Sequence, residues 1–257
     1  MHRPRKRFGQ HFLEDRAVVD QMVAAISPNS AQRLIEIGPG LGALTVPLLE
    51  RVGHLDVIEI DRDLVQQLRD RYPVNRLTVH DVDALEIDFA RFGRDLRVVG
   101  NLPYNISTPL LFHLTDHASC VRDAHFMLQR EVVQRMSAQA GSSAYGRLSV
   151  MLQYRWQIDA LFDVSPTAFR PAPKVWSSVV RMIPHTVLPY VARDEKVFAD
   201  VVMRAFGQRR KTLRNTLRGK LDASDFAKLE IDPAARGESL AVRDFVNIAN
   251  RIARTER

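Results

Sequence analysis

Between Arg33 and Gly42 the chain runs from a short apolar stretch, Arg33-Leu34-Ile35-Glu36-Ile37, directly into Gly38-Pro39-Gly40-Leu41-Gly42, and a helical pattern follows to about Val52. A glycine loop between a strand and a helix lets backbone approach a ligand closely. It also commits the chain to alternating strands and helices. Three further strands fit that alternation, at Leu55–Ile60, Leu77–His80 and Leu96–Gly100, with Leu64, Val65 and Leu68 marking a helix after the first of them. Helices of about a dozen residues between strands favour parallel pairing and a doubly wound α/β sheet. Asp15 is placed to cap a helix that carries the stripe Val18, Val19, Met22, Val23, Ile26 and stops at Pro28. Later strands are expected at 124–128, 157–164 and 177–183, with a helix near 145–155 between the first two.

After Ile183 the pattern changes. Pro184 and Pro189 punctuate the chain, and the periodicity beyond them (Val197, Val201, Val202, Ala205, Phe206, then Leu213 and Leu217, then Leu240 to Ile252) is helical throughout. A boundary is expected near 184–192, dividing the chain into 1–187 and a helical 188–257. A length of 257 residues accommodates one large domain and a small one.

The net charge of +7 points toward a polyanionic partner, and its placement is uneven. Arg204, Arg209, Arg210, Lys211, Arg214, Arg218 and Lys220 fall in one stretch without an acid, and Arg3, Arg5, Lys6 and Arg7 form a second basic cluster. Such segregation suits one face for phosphates and another for a small ligand, although a charge run also serves as a solvated surface. Phe206, Leu213 and Leu217 fall on one helical face, leaving Arg209, Arg210, Lys211 and Arg214 as candidate RNA phosphate contacts. Cys120 is the only cysteine, which rules out an intrachain disulfide and a zinc site built on cysteine pairs, and which fits a reducing cytosol. Acids at Glu14, Asp15 and Asp20 interrupt any apolar signal segment, and no apolar run is long enough to span a bilayer, so a cytoplasmic protein without a membrane partner is expected.

Glu59 closes the strand after the glycine loop, about twenty residues on, where an acid accepts hydrogen bonds from both hydroxyls of a ribose. Asp83 follows the next strand, placed to meet an adenine amino group. Together these residues suit an adenosine-containing cofactor at the carboxyl edge of the sheet. The spacing is Gly-x-Gly-x-Gly, with Pro39 inside it, and not the Gly-x-Gly-x-x-Gly of a pyrophosphate site. S-adenosylmethionine has no pyrophosphate to cradle. The competing readings are nicotinamide redox chemistry and a tight turn without a ligand. Glu36, in an otherwise apolar strand, needs partners if buried, and the loop's backbone donors would supply them.

Asn101-Leu102-Pro103-Tyr104 follows the fourth strand at the same sheet edge. The lone pair of an adenine amine is delocalised into the ring, so the amine is a poor nucleophile. Acceptors on its two hydrogens favour a more tetrahedral nitrogen. The side-chain oxygen of Asn101 and the carbonyl of Leu102 can take those places. Pro103 stiffens the loop, and Tyr104 offers a ring for a splayed-out base, worth on the order of 1–3 kcal/mol. A plainer reading makes Asn101 the cap of a helix beginning near Ile106 and Tyr104 a packed aromatic. Phe169 heads a proline-rich loop and either covers the other face of the base or plugs the core. Lys174 is a phosphate contact or a solvated charge.

The chain resembles the bacterial small-subunit (16S) ribosomal RNA adenine dimethyltransferases, the KsgA/RsmA family, over essentially its whole length. The resemblance rests on KRFGQHFL (residues 6–13), EIGPG (36–40), GNLPYNISTP (100–109), YGRLSV (145–150), FRPAPKV (169–175) and AFGQRRKTL (205–213). The glycine loop is shared with many methyltransferases. The specificity lies in the combination of NLPYNIS with Phe-x-Pro-x-Pro-Lys-Val. The resemblance implies a Rossmann-like class I methyltransferase sheet with a small all-helical C-terminal domain that helps grip ribosomal RNA. It implies S-adenosylmethionine as cofactor, with His11 and Leu13 in contact with it, Gly38 supplying backbone, Glu59 on the ribose, Asp83 on the adenine and Asn101 between cofactor and substrate. Many relatives carry Asn at the position of His11, which leaves a backbone contact there or a histidine in a mobile N-terminal arm. The implied activity is transfer of two methyl groups to each of two adjacent adenosines near the 3′ end of 16S rRNA, in the small ribosomal subunit, linked to its maturation, by a monomer. Rival readings are the antibiotic-resistance methyltransferase of large-subunit rRNA and a non-catalytic RNA-binding factor. Leu102 and the Arg209-Arg210-Lys211 run argue against the first, and Asn101 with Tyr104 against the second.

Overall fold

The structure is a computed structural model and describes residues 10–208 and 210–255. In chain order it comprises β1 (Phe12–Leu13), α1 (Arg16–Ile26), β2 (Leu34–Ile37), α2 (Thr45–Leu49), β3 (Leu55–Glu59), α3 (Arg62–Arg71), β4 (Leu77–Asp81), β5 (Leu96–Asn101), α4 (Ser107–Asp116), β6 (Val121–Gln129), α5 (Arg130–Met136), α6 (Arg147–Arg155), β7 (Trp156–Val164), β8 (Phe169–Arg170), β9 (Ser177–Pro184), α7 (Glu195–Gly207), α8 (Leu213–Thr216), α9 (Ala223–Lys228) and α10 (Val242–Thr255). Two compact units emerge, Met1–Val133 with Ile158–Pro184, and Gln134–Gln157 with His185–Arg257. The division expected at 184–192 differs from these units in one respect: Gln134–Gln157 clusters with the C-terminal helices. The cause is apolar packing, since Tyr145, Val150 and Tyr154 share a buried cluster with Phe198, Val202 and Phe245. That pairing across a long sequence separation leaves no mark in composition.

The first unit is built on a seven-stranded sheet in the order β4-β3-β2-β5-β6-β9-β7. From β4 to β6 all neighbours are parallel. The expectation of a parallel sheet is corrected at β9, which runs antiparallel to β6 with Ser177 opposite Gln129. No α-helix lies between β7 and β9 to carry the chain across for a parallel return; a single 3-10 turn at Pro166–Ala168, β8 and the proline-rich loop fill that interval. The α1 stripe buries Val19, Met22, Val23 and Ile26, and Asp15 caps it by accepting from Ala17 N at 2.9 Å and Val18 N at 3.3 Å. Gly100 lets β5 approach β2 closely, because any side chain there would run into the carbonyl oxygen of Ile37. A separate two-stranded ribbon pairs β1 with β8, matching Leu13 to Phe169.

In the second unit, Phe245, Val246, Ile248, Ala249 and Ile252 give α10 a continuous apolar stripe in a core shared with α7. The rings of Tyr154 and Phe198 stand 4.5 Å apart. The helical face expected through Phe206, Leu213 and Leu217 is broken. Helix α7 ends at Gly207, and α8 begins only at Leu213. The exposed amides of this new helix start are satisfied by a different loop, Leu213 N donating to Ala235 O at 2.8 Å and Arg214 N to Pro233 O at 3.0 Å. Leu213 and Leu217 are fully buried all the same. No helix among the described residues is long and apolar enough to cross a membrane.

Candidate active site

The carboxyl ends of β2, β3 and β5 share one edge of the sheet, where the loops that follow parallel strands leave room for a ligand. A cleft open to solvent lies there, lined by the glycine loop and by the ends of β3 and β5. Its first wall is the glycine loop. Gly38, Gly40 and Gly42 have φ of +67°, +57° and +88°, values that L side chains rarely adopt. Gly38 N donates to Ile58 O at 2.9 Å, tying the loop to β3. A Cβ on Gly40 would stand 3.2 Å from the Phe12 ring.

Glu59 is 6% exposed and lines the cleft. One carboxylate oxygen accepts from Ile60 N at 3.0 Å and Asp61 N at 2.9 Å, the other from Gly40 N at 3.3 Å. The acid therefore joins the β3 turn to the glycine loop. Burial raises its pKa, against the downward pull of these backbone donors. Glu36 lies deeper, and burial pushes its pKa up to about 8. Its partner is the Thr45 hydroxyl of α2, which donates at 2.7 Å, in place of the loop amides that the sequence suggests.

Asn101 is the last residue of β5, and the helix after it begins at Ser107 with Ile106 at the cap position, so Asn101 is not a helix cap. Its side-chain nitrogen donates to the carbonyl of His11 at 3.1 Å. That bond fixes which end of the amide is committed and leaves the side-chain oxygen as its acceptor end. Leu102 is 1% exposed, and its N–H donates to Met127 O at 3.1 Å, which locks the loop's backbone. The Tyr104 hydroxyl shares a 2.7 Å hydrogen bond with the Ser177 hydroxyl, and burial raises its pKa while that bond lowers it. The imidazole of His11 stands 5.5 Å from the Tyr104 ring, and its Nδ1 lies 2.7 Å from Pro171 O. His11 therefore has a partner on two sides, Tyr104 and the Pro171 carbonyl.

His11, Leu13, Gly38, Glu59, Asn101, Leu102 and Tyr104 all line this cleft. Two expected site residues are placed otherwise. Asp83 follows β4 at the same sheet edge but is not among the lining residues, and its carboxylate accepts from Leu85 N at 2.9 Å. Phe169 is 2% exposed and packs in the core of the first unit. The core-plug reading therefore describes it in this conformation, and its ring offers no face to a base. Arg210, Lys211 and Arg214 are exposed in the second unit. Arg209 lies outside the described residues, as do Arg3, Arg5, Lys6 and Arg7.

The cleft also contains residues that the sequence did not single out. Leu41 and Ile60 are 46% and 44% exposed there, an apolar surface beside the acid. Ile60 is the residue after Glu59, so its adjacency to the strand-ending acid was an available signal. Gln10 lines the cleft and donates to Asp61 at 3.2 Å. Ser177 had no signal, because only the fold brings it to Tyr104. Among the described lining residues there is no Lys or Arg, while Glu36 and Glu59 are both present. This donor set has no cation for a pyrophosphate and is compatible with a sulfonium.

Residues 1–254 match the family model described as "Ribosomal RNA adenine dimethylase". The chain is 61% identical over 252 residues to the ribosomal RNA small subunit methyltransferase A of Aromatoleum aromaticum, covering 98% of this chain and 95% of that protein. It is 56% identical to the protein of the same name from Methylobacillus flagellatus, covering 98% and 99% of the two. Among solved structures, a dimethyladenosine transferase from Plasmodium falciparum superposes with a TM-score of 0.82 at 25% identity over 96% of this chain and 98% of that one. The 23S rRNA methyltransferase ErmE shares the fold, with a TM-score of 0.75 at 20% identity over 94% and 99%. By sequence over nearly its full length, this chain belongs to the ribosomal RNA adenine dimethylase family.

Proposed function

We infer that this protein is an S-adenosylmethionine-dependent methyltransferase that dimethylates the N6 amino groups of adenines in small-subunit ribosomal RNA. The finer reading is two adjacent adenosines near the 3′ end of 16S rRNA, modified within the small subunit during its maturation, by a cytoplasmic monomer. The observation that carries the inference is the Asn101 amide, anchored through its nitrogen on the His11 carbonyl, in the same cleft as the positive-φ glycines and Glu59. Identities of 61% and 56% to small-subunit enzymes support that target over the large subunit.

Glu59 and the glycine backbone hold the nucleoside end of the cofactor, with Leu41 and Ile60 as its apolar bed. S-adenosylmethionine, when bound, supplies a methyl group on a sulfonium that is already an activated leaving group. The protein's own residues therefore need no strong base. Asn101 and the Leu102 carbonyl accept the two amine hydrogens and orient the nitrogen lone pair. Tyr104 presents its ring to the base, held by Ser177. Alignment of the reacting atoms supplies most of the acceleration. The exposed cations Arg210, Lys211 and Arg214, together with Arg209, bind RNA phosphates in the helical 188–257 region. Asp83 meets the cofactor's adenine.

The test is methylation of undermethylated small subunits with labelled cofactor, followed by mapping of the modified bases. Label on two adjacent adenines of small-subunit rRNA is expected. Label confined to large-subunit rRNA, or none, would overturn the reading.

A further inference from the structure

The same sheet edge carries an aromatic that the proposed chemistry leaves unused. Trp176 is 45% exposed, unusual for so large an apolar ring. It directly precedes Ser177, the residue whose hydroxyl holds Tyr104. Its backbone is fixed, since Trp176 O accepts from Arg130 N at 2.9 Å and so extends the β6–β9 ladder past Gln129 and Ser177. Its ring is flanked as well. The Arg130 guanidinium lies 5.5 Å from the ring centroid and forms an ion pair with Asp163 at 3.6 Å. Val175, next in the chain, is 44% exposed. An exposed indole on a hydrogen-bonded backbone, with a cation beside it and one residue from the anchor of the base-facing tyrosine, has the composition of a nucleobase-stacking platform.

We propose that Trp176, with Arg130, stacks a nucleotide of the RNA that flanks the target adenine, a subsite distinct from the position at Tyr104. The proposal rests on the reading of the cleft as an RNA adenine methyltransferase site. Stacking of a neighbour on Trp176 holds the strand while the target base is drawn out of its own stack. Arg130 contributes charge beside the ring. The platform reads a base's flat face and not its edge, so it sets affinity and register with little preference among bases.

Trp176→Ala, Trp176→Phe and the wild type would be compared on undermethylated small subunits, with KM, kcat, cofactor dissociation constant and Tm measured for each. The expected result for Trp176→Ala is a KM for subunits raised about ten-fold, with kcat, cofactor affinity and Tm held near wild type. Trp176→Phe should recover most of the loss. An unchanged KM in Trp176→Ala overturns the proposal. So does a KM loss accompanied by a fall in Tm or cofactor affinity, which marks a structural role. A second readout uses fluorescence. The chain has two tryptophans, and Trp156 is 1% exposed, so quenching by a twelve-nucleotide single-stranded oligoribonucleotide should report Trp176 and vanish in Trp176→Phe. Quenching that persists in that variant counts against the platform. Failure of the underlying reading looks different, because the wild type itself would then not methylate the subunits.

Discussion

The cleft at the sheet edge and the basic stretch of the second unit reach their properties by opposite routes. In the cleft, each polar side chain is tied to another segment: Asn101 to His11, Tyr104 to Ser177, Glu36 to Thr45 and Glu59 to the glycine loop. In the basic stretch, Arg210, Lys211, Arg214 and Arg218 are exposed, and the fold fixes chiefly the leucines beneath them, Leu213 and Leu217. Interactions that hold an atom within a fraction of an ångström govern a chemical step, whereas exposed cations act through summed charge. Substitutions in the first region should change kcat or cofactor binding, and those in the second should change KM and its dependence on salt.

The largest expected break comes at Asn101. Asn101→Ala should lower kcat by about 10²–10³-fold, the scale seen when one pre-positioned hydrogen-bonding group is removed, with cofactor affinity within a few-fold of wild type. Single-turnover methylation and equilibrium dialysis would separate the two, and wild-type turnover would end the assignment. Next is the loop beside it. Gly40→Ala imposes a left-handed conformation costing roughly 1–2 kcal/mol and places a methyl against Phe12, so cofactor affinity should fall about ten-fold. Calorimetric titration measures it, and unchanged affinity would show that the loop's shape does not serve binding.

Glu36 tests the buried end of the cleft. Its folded pKa of about 8 lies above the ordinary carboxyl value of 4.5 that it regains on unfolding, so between those values the native state holds a proton that the unfolded state has released. The stability contribution of this group is fully present below about 4.5 and is lost as pH rises toward about 8. Glu36→Gln should remove that slope, so the variant gains on the wild type in denaturant midpoint as pH rises across the window. Parallel pH profiles would refute it. Tyr104→Phe keeps the ring and deletes the Ser177 bond, worth about 0.5–1.5 kcal/mol. A few-fold loss in kcat/KM is expected, and Tyr104→Ala should lose considerably more. The smallest effect on turnover belongs to the basic stretch. Arg210→Ala with Lys211→Ala should leave kcat unchanged and flatten the salt dependence of RNA binding by about one unit of slope for each phosphate no longer neutralised. Unchanged slope would remove these residues from the RNA interface.

The strand-and-helix alternation was legible because each element carries its own period: every expected strand from 33 to 183 overlaps an observed one. The cleft's acids and loops were legible because parallel strands deliver their carboxyl ends to one edge wherever a glycine loop and a strand-terminal acid recur. The antiparallel return of β9, the transfer of Gln134–Gln157 to the second unit and the break between α7 and α8 were not. Each depends on partners far away in the chain, and a local pattern records how a segment can pack without recording against what.

The sequence by itself determined the alternation of elements, the glycine backbone at the cofactor edge and the presence there of His11, Leu13, Glu59, Asn101, Leu102 and Tyr104. Tertiary structure alone decided their orientation. It turned the Asn101 amide by giving its nitrogen to His11, placed Ser177 under the Tyr104 hydroxyl, put Phe169 in the core and left Trp176 at the surface. Side-chain type fixes what a group can donate or accept. Which of those capacities remains for a ligand depends on the neighbours that have already used the others, and those neighbours come from segments up to 160 residues away, as for His11 and Pro171.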